Sequence, residues 1–230
     1  MKTIGLIGGM SWESSAVYYE LINKKVKEEL GGFHSAKSIM VSVDFAEIEI
    51  LQRKDDWNGL TKYMIKSAKQ LENAGADLIL LCTNTMHLCS EEIIKNITIP
   101  FLHIADATGK IIQSKGLQKL ALLGTKFTME KDFYRMILKK YGIDVIIPDI
   151  DDRELIHKVI YEELVLGNIQ SNSREAYKHI IKDLENKGAE GVILGCTEIP
   201  LLIKQKDVDI PIFNTTNIHV ESAVEMALEN

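Results

Sequence analysis

Residues 188–200 read GAEGVILGCTEIP, and residues 75–87 read GADLILLCTNTMH. Set with Gly188-Ala189 over Gly75-Ala76, both open on Gly-Ala-acid and continue into an apolar run of strand length. Each run stops at a polar turn, as a buried strand does when it delivers side chains to the carboxyl edge of an α/β sheet. The same alignment places Thr83 opposite Cys196, Asn84 opposite Thr197 and Thr85 opposite Glu198. Two similar strand ends, one carrying a thiol and one a hydroxyl, imply an internally repeated α/β fold.

The grammar around these stretches repeats as well. Thr3 to Ile7 is a short strand, followed by Gly8-Gly9-Met10-Ser11 and a helical pattern from Glu13 to Leu30. Gln118 to Leu123 is its counterpart, ending in Gly124-Thr125 before a helical pattern from Thr128 to Tyr141. Further strands are expected over Ser38–Asp44, Asp77–Leu81, Ile143–Ile147 and Gly191–Leu194. Further helices are expected over Trp57–Asn73, Met86–Lys95, Arg153–Leu166, Ser173–Asn186 and Ile218–Leu228. Glu47 to Lys54 is polar and mixed. Ile210-Pro211-Ile212-Phe213 echoes the extended Ile99-Pro100-Phe101-Leu102. The expected architecture is α/β: two pseudo-symmetric domains with mostly parallel sheets and strand ends facing a shared cleft. The expected division is 1–100 plus about 213–230, and 101–212.

Composition narrows the function. The chain has 230 residues, 46% of them hydrophobic, and a net charge of -6. That balance, with scattered Lys and Arg, argues against nucleic acid. No apolar run reaches the ~18 residues of a membrane span, and Ile4–Gly9 is too short for the core of a signal peptide. Three cysteines without a CxxC pair suit free thiols in a reducing cytoplasm. No zinc-ligand spacing appears. The dinucleotide fingerprint is absent, because Ile7 and Met10 stand where glycines would be needed after Gly5.

Two groups held on opposite faces of a small ligand suit stereoinversion at a carbon acid. One base removes a proton, and an acid returns one to the other face. A thiolate can be that base, since a thiol pKa of ~8.5 lies within reach of neutral pH. Ser11, Asn84, Thr85, Thr125 and Thr197 are neutral donors suited to an α-carboxylate.

IGLIGGMSWES at 4–14, LCTNTMH at 81–87, FLHIADAT at 101–108, LGTKFTME at 123–130 and GCTEIP at 195–200 together resemble the cofactor-independent aspartate/glutamate racemase superfamily. Within it they resemble the L-aspartate/glutamate-specific group that has threonine in place of the first catalytic cysteine. The resemblance spans essentially the whole chain. It implies an active site between two α/β domains, commonly in a homodimer, and proton transfer at the amino-acid Cα without pyridoxal phosphate or metal. It puts Met10 against the substrate.

The usual first-half motif of the superfamily is CNT followed by a histidine. Here it is Thr83-Asn84-Thr85, with Cys82 one residue early and, by strand alternation, pointing away. The catalytic pair implied is therefore Cys196, the one strong base, and Thr83, a hydroxyl that hydrogen-bonds or relays a proton. In the two-thiol members the second-half cysteine attacks the L-isomer, which implies a preference for L-aspartate or L-glutamate. Some archaeal aspartate racemases bind the distal carboxylate with an arginine and a lysine, but Val165 stands where the lysine would fall. Gln52, with Arg53 behind it, is the remaining candidate. Glu198 either orients Thr197 or caps the helix that follows. Cys82, Cys89, His87, His103 and His219 are read as structural, with the last two in roughly corresponding places of the halves. The alternatives are a related carbon-acid enzyme (hydantoin racemase, maleate isomerase or decarboxylase), a non-catalytic carboxylate binder, and, more weakly, a cysteine-nucleophile hydrolase.

Overall fold

The computed structural model describes residues 1–229. The chain forms two compact units, one from Met1–Ile104 together with the chain from His219 onward, the other from Ala105–Ile218. In chain order, the first unit carries β1 (Ile4–Gly8), α1 (Trp12–Leu30), β2 (Ser38–Ser42), α2 (Phe45–Arg53), α3 (Trp57–Asn73), β3 (Leu78–Leu81), α4 (Ser90–Lys95) and β4 (Phe101–Leu102). Helix α5 (Ile104–Ser114) leads into the second. There follow β5 (Lys119–Gly124), α6 (Lys126–Glu130), α7 (Phe133–Lys139), β6 (Asp144–Ile146), α8 (Ile150–Glu162), α9 (Ser171–Asn186), β7 (Gly191–Gly195), α10 (Ile199–Leu202) and β8 (Ile212–Asn214). Helix α11 (Thr215–Leu228) completes the described chain.

Each unit has a four-stranded parallel sheet, ordered β2-β1-β3-β4 in the first and β6-β5-β7-β8 in the second. The registers repeat residue for residue. Ile4 pairs with Leu78 as Leu120 pairs with Gly191, and Ile79 pairs with Phe101 as Val192 pairs with Ile212. The proline echo is part of this ladder: the Pro100 carbonyl accepts from Ile79 N at 2.8 Å, and the Pro211 carbonyl from Val192 N at 2.9 Å.

The Gly-Ala-acid opening has a physical basis in both units. Gly75 and Gly188 adopt φ of 92° and 93°, which turns the chain out of α3 and α9 at little steric cost. Ala76 and Ala189 are buried. The acid then caps the start of the neighbouring strand: Asp77 Oδ2 accepts from Thr3 N at 2.6 Å, while Glu190 Oε2 accepts from Gln118 N and Lys119 N at 2.6 and 2.9 Å. Both carboxylates thereby satisfy backbone donors that the ladder leaves open.

The helices before these glycine turns are set by helical periodicity. Leu60, Met64, Ala68 and Leu71 of α3 pack with Ile7, Ile79 and Leu81. Tyr177, Ile181 and Leu184 of α9 pack with Ala121, Leu123, Val192 and Leu194. Each such buried leucine, isoleucine, valine or methionine contributes roughly 1.5–3 kcal/mol. The exposed i,i+4 pairs, such as Lys24–Glu20, contribute about 0.3–0.5 kcal/mol. Packing onto the sheets therefore fixes the architecture.

The structure departs from the sequence expectations in local ways. The polar, mixed stretch Glu47–Lys54 lies largely within α2, which is started by Asp44 accepting from Ala46 N at 3.0 Å and anchored by buried Ile48 and Gln52 one turn apart. Helix α5 has no counterpart among the expected helices. The single helix expected over Thr128–Tyr141 is two, broken where Lys131 turns extended (φ -79°, ψ 144°). The one expected over Met86–Lys95 begins as a 3₁₀ turn, Thr85–Cys89.

The turn after β1 is tightly built. Gly9 has φ of 94°, and a Cβ there would overlap the Val43 backbone. Both features make glycine obligatory. Gly9→Ala is expected to cost about 2–4 kcal/mol, the sum of backbone strain and overlap, read as a lower urea midpoint at unchanged slope.

Candidate active site

The ladder of β7 against β5 ends at Gly195, paired with Gly124. The next side chain is Cys196, just beyond the sheet and 8% exposed. Its thiol donates to Glu198 Oε2 at 3.0 Å, and the same oxygen accepts from Thr197 Oγ1 at 2.6 Å. The backbone N–H groups of Glu198 and Ile199 also hydrogen-bond the sulfur, which favours the thiolate. Burial and the Glu198 carboxylate outweigh them and hold the Cys196 pKa well above its ordinary value. The thiol is the resting form. Glu198 precedes α10 but makes no side-chain cap bond, so of its two expected roles the structure gives it the one beside Thr197, and adds the thiol. On the neighbouring strand end, Thr125 N-caps α6 by accepting from Thr128 N at 3.3 Å.

In the first unit β3 ends at Leu81, whose partner is Ile7. Cys82 continues the ladder, its N–H donating to the Ile7 carbonyl at 2.9 Å, and is fully buried. Burial alone pushes its thiol far up, which disfavours the thiolate. Thr83, one residue on, is partly exposed. The turn is tied to the start of α1. Ser14 Oγ donates to the Cys82 carbonyl at 2.9 Å, Ser11 N-caps the helix, and Ser15 Oγ accepts from Gly9 N at 2.7 Å. Asn84 and Thr85 are buried in the turn. Met10 is buried in the core cluster that contains Ile48, Met64 and Met86. Gln52 is buried on α2, its amide nitrogen 3.4 Å from Met86 Sδ and its Oε1 without a hydrogen-bond partner among the described residues. Arg53 points outward and pairs with Glu49.

Three histidines gather behind the Thr83 turn, all of them in the first unit. His87 packs on both, with ring centroids 4.5 Å from His103 and 5.7 Å from His219. His87 Nε2 accepts from Ile104 N at 3.2 Å, so Nδ1 carries the proton and donates to the Thr83 carbonyl at 2.7 Å. His219 Nε2 donates to the Leu102 carbonyl at 2.9 Å, leaving Nδ1 to accept from Tyr18 Oη at 2.9 Å. Both rings are neutral. Burial lowers the His87 pKa well below its usual value, with His103 and His219 adding to it, and lowers His219 to about 4. The long sequence separation of His219 from Tyr18 and Leu102 hid this cluster from sequence reasoning. Among the described residues no group of His, Cys, Asp and Glu is placed to hold a metal ion, and no helix is long and apolar enough to cross a membrane.

Comparison with known proteins follows the same pattern. The family model described as Asp/Glu/Hydantoin racemase matches residues 7–223. A Yersinia pestis protein of known structure, provisionally classed as an Asp/Glu racemase, is 52% identical over the full length of both chains, with a TM-score of 0.94. An aspartate racemase homologue from Pyrococcus horikoshii is 39% identical over both full lengths, with a TM-score of 0.86. The broad specificity amino-acid racemase RacX of Bacillus subtilis is 24% identical over 98% of each chain.

The buried neutral histidines make the first unit acid-sensitive. A histidine with a folded pKa near 4 and an unfolded one near ~6.5 takes up its proton in the unfolded state first. Its contribution is complete above about pH 6.5 and is lost as pH falls towards 4, about 3 kcal/mol in all. Unfolding free energy should therefore fall with acid over this window. In His219→Gln the slope should drop by up to about 1.4 kcal/mol per pH unit. An unchanged slope contradicts the assignment.

Proposed function

The chain belongs to the Asp/Glu/hydantoin racemase family, and from that premise we propose that it racemises acidic amino acids, aspartate or glutamate. Cys196 is the principal base, and Thr83 serves the opposite face of the substrate. The observation that carries this reading is the surroundings of Cys196 at the tip of β7. Cys196 belongs to the buried cluster of the second unit, yet its sulfur also meets two backbone N–H groups and a carboxylate, groups through which a thiol can exchange a proton.

In the proposed reaction the Cys196 thiolate removes the Cα proton of the L-isomer. The resulting carbanion takes a proton on its other face by way of the Thr83 hydroxyl. Thr83 is too weak an acid to rest as an anion, so it passes on a proton that solvent replaces. Ser11, Asn84, Thr85, Thr125 and Thr197 are proposed to hold the substrate's α-carboxylate and ammonium, with Met10 against its side chain. Glu198 lies within this set. Gln52 is proposed for the distal carboxylate. The buried Oε1 of Gln52, unpartnered among the described residues, leaves the amide free to turn towards a ligand; an amide can present either end. The enzyme is proposed to work without pyridoxal phosphate or metal, as a homodimer, in a reducing cytoplasm where its three buried cysteines stay free.

One feature favours a second reading. The base expected on the first strand is a threonine, so the chain could hold small carboxylates without turning them over. Chiral chromatography of L- and D-aspartate and L- and D-glutamate after incubation decides between them. Wild type should invert an L-isomer. Cys196→Ser should lose at least about 10³-fold in kcat, and Thr83→Ala about 10²-fold, each with KM changed far less. Binding of aspartate with no inversion of any isomer contradicts the racemase and supports the binder.

A further inference from the structure

The Cys196 thiol poses a chemical problem for any proton abstraction: in the free protein it is protonated, and something must take that proton. The carboxylate of Glu198 receives the S–H directly, Sγ to Oε2, at 3.0 Å. It is 8% exposed and two residues from the cysteine. Its second donor, the Thr197 hydroxyl at 2.6 Å, fixes the same oxygen in place. The side chain makes no cap bond to α10. A carboxylate kept only to cap a helix would turn to the backbone N–H groups of the following turn. One kept only to bind substrate would not commit its Oε2 to a neighbouring thiol and hydroxyl.

We propose that Glu198 is the proton acceptor that turns Cys196 into a thiolate, so that the two side chains act as one proton-sharing pair. This rests on the racemase reading above. The S–H proton passes to the Glu198 carboxylate, giving a thiolate and a carboxylic acid. The thiolate then takes the Cα proton and becomes a thiol again. The carbanion gains one proton from solvent through Thr83, and Glu198 returns its own to solvent, so the protons balance. No oxidant, metal or cofactor enters. The two backbone N–H groups on the sulfur stabilise the thiolate during the transfer, and the substrate's ammonium group adds positive charge when it binds.

The pairing has a consequence for the free enzyme. The Glu198 charge beside the sulfur raises the pKa of Cys196. Removing that charge without changing shape must ease thiolate formation in the absence of substrate, yet leave the thiol proton with no acceptor during turnover. A purely structural Glu198 would show the first effect through loss of its charge but not the second, since glutamine retains an oxygen that accepts from both Sγ and Oγ1.

The test is Glu198→Gln beside Glu198→Asp and wild type, with two readouts. The first is the pH dependence of iodoacetamide alkylation at Cys196, followed by peptide mass mapping so that buried Cys82 and Cys89 do not contribute. The second is the rate of Cα exchange with saturating substrate. Glu198→Gln should shift the alkylation midpoint down by a unit or more while slowing exchange by about 10²-fold or more, with KM within a few-fold. Glu198→Asp should restore part of the exchange. If the midpoint does not move, the coupling is absent and the proposal fails, whatever the protein's substrate. If the midpoint moves but Glu198→Gln exchanges within threefold of wild type, Glu198 tunes the thiol but is not its proton acceptor, and the proposal fails. Should wild type exchange none of the four amino acids, the racemase reading fails and takes with it the catalytic half of the proposal. The alkylation shift would then stand alone as evidence of the coupled pair.

Discussion

The parallel pairing of β7 with β5 stops at Gly195, and the chemistry of the second unit depends on that stop. A strand end releases the next residue from the ladder but holds its backbone firmly, because the strand behind it is buried on both faces. Gly195 allows the close approach: a Cβ there would meet the Leu123 carbonyl oxygen and the Leu122 side chain at 3.0 Å. The thiol that follows is therefore carried on rigid structure, while the short turn into α10 brings two N–H groups and a carboxylate to it. The first unit ends β3 the same way, with Cys82 in the place of Gly195 and Thr83 in the place of Cys196.

Much of this was legible in the sequence because repetition and burial leave strong marks. The Gly-Ala-acid opening and the proline echo aligned the two halves in the register the sheets adopt, since each motif residue has a fixed physical role. The glycine makes a left-handed turn, the alanine a small buried contact, and the acid a carboxylate on open N–H groups. Strand alternation set Cys82 and Thr83 on opposite sides, and their burial differs in the structure. Cys82 is fully buried, its thiol pushed up by desolvation, and Thr83 is the residue with solvent access.

What escaped was mostly non-local. Helix α2 is short and carries charged residues around two buried positions, Ile48 and Gln52, too few for a clear period. The histidine cluster joins residues from the two ends of a discontinuous unit, and nothing near His219 in sequence announces Tyr18 or His87. The bond from Cys196 to Glu198 was within reach, since the residues are two apart, but the side-chain direction of Glu198 is a three-dimensional fact. The sequence left it open between Thr197 and a helix cap.

The central claim is that Cys196 exchanges a proton with the α-carbon of an acidic amino acid. It is tested most directly by incubating the wild-type protein with L-aspartate or L-glutamate in deuterium oxide and following the Cα proton by NMR. The account predicts loss of that signal together with appearance of the D-isomer, the label residing at Cα alone. Retention of the Cα proton by a bound, unconverted amino acid would contradict it.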